Sequence, residues 1–201
     1  MLSIIVQAGG ESRRMGQDKG LMPFLGRPLI RRVIDRVAHL GNELLITTNH
    51  PEAYAFLEFP LARDRLPGRG ALGGLYTALE VARYPLVAVV ACDMPFVNTQ
   101  MLAYQRDLLQ SHPYDAVIPK TRYGAESFHA VYRREACLQP VKEALDAGMW
   151  RVDAWFEQAR LHFLNSSQIL RYDPQQVAFL NLNTPEELQQ AEQLAREHPR
   201  L

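Results

Sequence analysis

LSIIVQAGGESRRMGQDK, residues 2–19, begins as a short apolar run and breaks at once into two adjacent glycines, two adjacent arginines and a lysine. LSIIV (2–6) has the composition of a strand buried on both faces of a parallel sheet. Adjacent glycines let the following turn take left-handed angles and aim several backbone N–H groups at one point, with no side chain in the way. Such a concavity suits phosphate oxygens, and Arg13 and Lys19 supply cations able to neutralise a polyphosphate. Two familiar phosphate loops are excluded. Five residues separate Gly10 from Gly16 and no Gly-Lys-Ser/Thr follows, so this is not a Walker A loop. Gly9 and Gly10 also lack the G-x-G-x-x-G spacing of dinucleotide-binding turns. The residues alone leave two readings open, a phosphate cradle and a flexible turn.

Beyond the loop, Pro28 opens the helical stretch PLIRRVIDRVAHL, with Leu29, Val33, Val37 and Leu40 at helical spacing and Gly41 as the stop. ELLITTN (43–49) predicts a second strand, followed by a short helix over 51–57 and a brief strand over 61–64. LPGRGALGG (66–74) reads as a glycine-rich loop leading into the helix LYTALEVAR. PLVAVVAC (85–92) is the central strand and ends at CDMPF. A helix over 99–110 then leads to the strands DAVIP and FHAVYRR, and 134–147 is helical with Gly148 as its stop. AFLNLNTPEEL predicts a short strand and then a helix with Thr184 as N-cap, Pro185 at N1 and Glu187 at N3, a capping box.

Strands alternating with helices imply an α/β fold, a three-layer α/β/α sandwich around a mainly parallel central sheet, in a single domain over 1–201. Ligands of such sheets bind outside the carboxyl ends of the strands. The first strand ends in AGGESRR, the second in Asn49, the third in Asp64 and the fourth in Asp93. A carboxylate at that fourth exit can bind Mg²⁺ together with waters and substrate phosphates, or it can simply cap a turn. Both readings stand.

Lys+Arg and Asp+Glu are 22 each, so no global field draws the chain to nucleic acid or an anionic membrane, and any anion binding is local. Cys92 and Cys137 are the only cysteines and lack metal-ligand spacing, which suits a reducing compartment. No segment approaches the roughly 20 apolar residues needed to span a bilayer. The expected location is the cytoplasm.

The residues so far resemble the molybdenum cofactor guanylyltransferases, nucleotidyltransferases with a Rossmann-like sheet. The family's Leu-Ala-Gly-Gly, Ser, Arg, Arg-Met-Gly, Asp-Lys and Gly-x-Pro-Leu reads here QAGGESRRMGQDKGLMPFLGRPL. ITTN, ARD, GALGGL, CDMPF and NLNTPEEL follow in order, so the resemblance covers nearly the whole chain. It implies that Gln7, Ala8, Gly9 and Gly10 contact the nucleotide through backbone groups, with Lys19 on its phosphates and Arg13 facing the triphosphate. Asn49 and Asp64 would hold the guanine and ribose end, and Asp93 would bind both Mg²⁺ and the nucleotide. Asn183 would assist at the metal or order the turn before Thr184. The implied reaction is attack by the terminal phosphate of molybdopterin, carrying molybdenum, on the α-phosphorus of GTP, with Lys19, Arg13 and Asp93 as catalytic groups. Molybdenum-insertion proteins and apo-molybdoenzymes are the implied downstream partners, and a monomer is the expected state.

The sequence departs from the family at three places. Gln7 stands where Leu is usual, GAL replaces Gly-Pro-Leu at 70–72, and AESFHAVYR (125–133) lacks the expected substrate-side proline. His129 falls beside that strand, where a surface histidine is expected over a contact to a pterin or phosphate. Trp150 and Trp155 are expected in the core. Two alternatives stay open: a related transferase using CTP or another phosphorylated acceptor, and a non-catalytic nucleotide-binding partner. The double glycine of AGG follows the guanylyl relatives rather than the cytidylyl ones, and a chain without chemistry would be expected to lose Lys19 or Asp93.

Overall fold

The computed structural model describes residues 1–9, 18–199 and 201. Among them the chain runs through β1 (Leu2–Gln7), β2 (Pro23–Phe24), β3 (Arg27–Pro28), α1 (Leu29–Val37), β4 (Glu43–Thr47), α2 (Pro51–Tyr54) and β5 (Leu61–Ala62). Next come α3 (Gly70–Val81), β6 (Leu86–Ala91), α4 (Thr99–Ser111), β7 (Ala116–Thr121), β8 (Gly124–Ala125) and β9 (His129–Arg133). The chain closes with α5 (Arg134–Asp146), β10 (Leu161–Leu164), α6 (Ser166–Tyr172) and α7 (Pro185–Glu197).

The main sheet has the order β10-β7-β9-β6-β1-β4-β5, with β8 paired to β7. β1 runs parallel to β6 and β4, β4 to β5 and β10 to β7, while β9 is antiparallel to both its neighbours. Side chains alternate across β1 and so tie three layers together. Ile4 and Val6 pack with Val33 and Ile34 of α1 and with Met101 and Leu102 of α4. Ile5 points the other way, into Leu72, Leu75 and Leu79 of α3 and Val141 of α5. Each such side chain contributes about 1.5–3 kcal/mol on burial, so one strand anchors helices on both faces. No described helix is long and apolar enough to cross a membrane.

The α/β/α sandwich is as the sequence predicts, and so is the last cap. Thr184 Oγ1 accepts from Glu187 N at 3.1 Å while Glu187 Oε2 accepts from Thr184 N at 3.0 Å. Three expectations need correction. GALGG is the first part of α3 rather than loop. Its glycines there serve contact: a Cβ on Gly74 would sit 1.5 Å from Gln7 Nε2, and one on Gly73 would sit 3.1 Å from Leu66 O. Residues 178–183 form no strand; they run as a strap whose Ala178 and Leu182 are buried. β6 is already flanked by β1 and β9, so the strap finds no free edge beside it. β10 and α6 were not foreseen at all.

Candidate active site

A cleft of about 820 Å³ crosses the carboxyl ends of the parallel strands. Asn49 and Asp64 line one end, Gln7–Gly9, Asp18 and Asp93 its middle, and the turn 125–128 with Asn181 the other end.

Lys19 reaches the middle through a locked turn. Asp18 Oδ1 accepts from Gly20 N at 3.1 Å and so caps the 3-10 turn Lys19–Leu21. The hydroxyl of Tyr54 donates to the same oxygen from a fully buried ring, and burial pushes that phenol far above its ordinary pKa. Gly20 is required here, because a Cβ would lie 2.6 Å from the Tyr54 hydroxyl oxygen and 3.2 Å from Cys92 Sγ. The turn delivers Lys19 Nζ to 2.9 Å from Asp93 Oδ2 and 2.6 Å from Asn183 Oδ1. Asp93 is itself fixed from two directions: Cys92 N donates to Gln7 O at 3.0 Å, and Leu182 N donates to Asp93 O at 3.1 Å. Cys92 is buried and its thiol is pushed well up by that burial, which keeps it a protonated core residue rather than a nucleophile.

At the β4–β5 end, Asp64 Oδ1 accepts from Leu66 N at 3.2 Å and from Thr77 Oγ1 at 2.6 Å, which fixes its carboxylate at the cleft wall. The Asn49 side chain lies over Gly9, its Nδ2 4.0 Å from where a Cβ would be. Ala8 N donates to Thr47 O at 2.8 Å, so the β1 ladder closes at Ala8. The side chain of Gln7 turns toward α3, against Gly74, and its Oε1 is buried without a partner among the described residues. Gly10 and Arg13 lie outside the described residues.

The structure thus brings together Gln7, Ala8, Gly9, Asn49, Asp64 and Asp93 on one cleft, with Lys19 bonded to Asp93 and Asn183 bonded to Lys19. His129 is a correction. It is fully buried, its Nε2 accepts from Asn98 N at 2.9 Å, and burial lowers its pKa to about 4, so it is a neutral core residue. Trp155 is core as expected, but Trp150 is half exposed under the guanidinium of Arg69, 5.2 Å from its ring centre. Sequence reasoning also passed over Asp18, although its place beside Lys19 was a usable signal. Among the described residues no three of His, Cys, Asp and Glu cluster as a metal cage. The donors present are Asp93, Asp18 and the amide oxygen of Asn183, and a hard, heavily hydrated cation such as Mg²⁺ typically needs only one or two protein carboxylates.

A sheet of this topology, opening at its parallel strand ends onto a cleft with a lysine–aspartate pair at the centre, defines a nucleotidyltransferase. Residues 4–161 match the MobA-like NTP transferase domain family. The chain is 31% identical over 200 residues to a probable molybdenum cofactor guanylyltransferase of Peptoclostridium acidaminophilum, covering 97% of this chain and 90% of that one. It is 32% identical to the molybdenum cofactor guanylyltransferase of Syntrophotalea carbinolica, over 93% and 89% of the two chains. The crystal structure of molybdopterin-guanine dinucleotide biosynthesis protein A from Archaeoglobus fulgidus superposes with a TM-score of 0.84 at 25% identity, over 97% and 99% of the chains. The chain belongs to the molybdenum cofactor guanylyltransferase family.

Proposed function

We propose that this cleft transfers GMP from GTP to the terminal phosphate of molybdopterin or its molybdenum-bearing form. An acceptor phosphate oxygen bonds to the α-phosphorus, the bond to the bridging oxygen of the β-phosphate breaks, and pyrophosphate leaves. The product is molybdopterin guanine dinucleotide. The observation that carries this reading is the meeting of Lys19, 74 residues away in sequence, with the cleft-lining Asp93 at 2.9 Å. A cation and a carboxylate at that point are what a polyphosphate and its metal require.

In this reading Lys19 leaves Asp93 for the phosphate oxygens and offsets the charge that gathers there. Arg13 faces the triphosphate, and the backbone of Gln7, Ala8, Gly9 and Gly10 cradles it. Asn49 and Asp64 hold the guanine and ribose. Asp93, with Asn183 beside it, would hold Mg²⁺, which when bound supplies positive charge to the phosphates and the leaving group. No protein nucleophile takes part. One domain over 1–201 carries the reaction as a monomer in the cytoplasm, and the product passes to molybdenum-insertion proteins and apo-molybdoenzymes.

The test is a melting curve with Mg²⁺ and GTP, CTP or ATP, then pyrophosphate release on adding molybdopterin. GTP at 100 times its Kd stabilises by ~2.7 kcal/mol, a rise of about 5–11 °C for a chain of this size. A larger rise with CTP refutes the guanine assignment, and absence of pyrophosphate refutes the acceptor.

A further inference from the structure

AESF (125–128) opens the stretch AESFHAVYR that lacks the family's proline, and the fold puts it at the end of the cleft on the β9 side of Asp93. β9 runs antiparallel to β6, so the turn ahead of β9 arrives beside the exit of β6. Ala91 N donates to Phe128 O at 3.1 Å, two residues before Asp93. The sheet order sets Gly9, Asn49 and Asp64 on the opposite side of Asp93, at the ends of β1, β4 and β5. A nucleotide laid from Asp64 to Asp93 therefore leaves the β9 side of the cleft for the second substrate. At about 820 Å³ the cleft lies in the upper part of the roughly 300–1,000 Å³ that small-molecule pockets span.

The backbone of the turn is fixed. Glu126 N donates to Pro119 O at 2.9 Å, His129 N to Glu126 O at 3.0 Å, and the Tyr132 hydroxyl to Ser127 O at 2.6 Å. Its side chains are under-used. Ser127 is 3% exposed and its Oγ has no partner among the described residues. Glu126 accepts one hydrogen bond, from Thr121 Oγ1 at 3.0 Å, and no described cation pairs with it. A carboxylate accepts up to about four hydrogen bonds, and burial holds this one above its ordinary pKa, the mark of a charge short of donors. Such a group repels phosphate. It suits a ligand end that offers adjacent N–H groups, and a buried unpaired hydroxyl beside it is a second group awaiting a partner.

We infer that Glu126 and Ser127 determine acceptor specificity: the Glu126 carboxylate accepts the paired N–H groups of a 2-amino-4-oxo-pyrimidine edge, and Ser127 bonds the same ring system. The inference rests on molybdopterin being the acceptor. It orients that acceptor with its pterin edge on the β9 turn and its phosphate toward Lys19 and Asp93.

The experiment measures pyrophosphate release by the full chain with GTP and molybdopterin, using pterin and lumazine as competitive inhibitors. The two differ by a 2-amino donor against a 2-oxo acceptor. Unmutated protein should bind pterin about tenfold or more tightly than lumazine, as loss of a hydrogen bond to a charged group requires. Glu126→Gln should close that gap and raise the KM for molybdopterin about 10- to 100-fold, with the KM for GTP within about twofold by the same reasoning. Ser127→Ala should raise the molybdopterin KM about 2- to 10-fold without lowering the melting temperature. Unchanged molybdopterin KM and an unchanged pterin–lumazine gap in both variants overturn the inference, as does a parallel rise in the KM for GTP. Unmutated protein that releases no pyrophosphate overturns the molybdopterin reading first, and is recognised before any variant is made.

Discussion

Replacing Lys19 by alanine separates the chemistry of the cleft from its stability. Its ammonium donates to Asp93 at 2.9 Å and to Asn183 at 2.6 Å, with the Lys19 and Asp93 side chains 24% and 16% exposed. Exposed pairs contribute ~0–1 kcal/mol and breaking a fully buried one costs ~3–5 kcal/mol, so this intermediate pair should cost about 1–2 kcal/mol. For a chain of this size that lowers Tm by about 2–8 °C, leaving it folded at assay temperature. The rate should fall much further. Losing one preorganised charge at a transferring phosphoryl group costs about 10²–10³ in kcat, or ~2.7–4 kcal/mol. Differential scanning fluorimetry and pyrophosphate release measure the two quantities on one preparation. Asn183→Ala adds an internal control, since both substitutions remove the same contact and their stability costs should not add. A folded Lys19→Ala that keeps more than about a third of wild-type kcat/KM would refute the reasoning, because ~0.6 kcal/mol is too little for a phosphate-bound lysine.

Tyr54→Phe removes the hydroxyl that holds Asp18, and should lower unfolding free energy by about 1.5–3 kcal/mol in a urea titration while raising the KM for GTP; no change in either would detach Tyr54 from the Lys19 turn. Gly74→Ala drives a methyl into Gln7 Nε2 and should cost about 1–3 kcal/mol. In Gln7→Ala the same substitution should be nearly neutral, and equal costs in both backgrounds would contradict the contact. Asp115 accepts from Arg160 N and Nη2 at 2.9 and 2.8 Å, and its hydrogen bonds to Arg160 depress its pKa below 3.8. A depressed carboxylate stabilises fully above its unfolded pKa and loses that contribution as pH falls through the folded one. The urea midpoint of wild type should therefore exceed that of Asp115→Asn at pH 6, and the gap should shrink as pH drops below 3.8. A gap constant with pH would argue against the ion pair.

Much of the site was legible because its residues sit at strand ends, and strand ends are marked in sequence by an apolar run stopping at a polar residue. Gly9, Asn49, Asp64 and Asp93 are each found this way, and all four line the cleft. The burial of His129, against the surface place its sequence suggests, has a cause that sequence does not carry. Its ring is covered by Phe179, at 5.1 Å between centroids, and bonded by the Asn98 amide, and both come from distant segments. The strap 178–183 reads as a strand in sequence because apolar residues that cover a core and those that enter a sheet have the same composition. Here the Asp173 carboxylate takes the N–H groups of Val177 and Ala178, at 3.1 and 2.8 Å, that a strand would have given to a neighbour.

What the sequence determined by itself was local: where apolar runs end, where glycines permit a turn, where Thr184 starts a helix. Each follows from the chemistry of neighbouring residues, and together these were enough for the α/β/α class. Which side chains meet was decided only by the tertiary structure. The antiparallel setting of β9 between two strands that run the other way brings Glu126 and Ser127 beside the exit of β6, and the strap brings Asn183 to Lys19 across 164 residues. Strand order and direction arise from packing both faces of one sheet at once, a condition on the whole chain that no short stretch of it expresses.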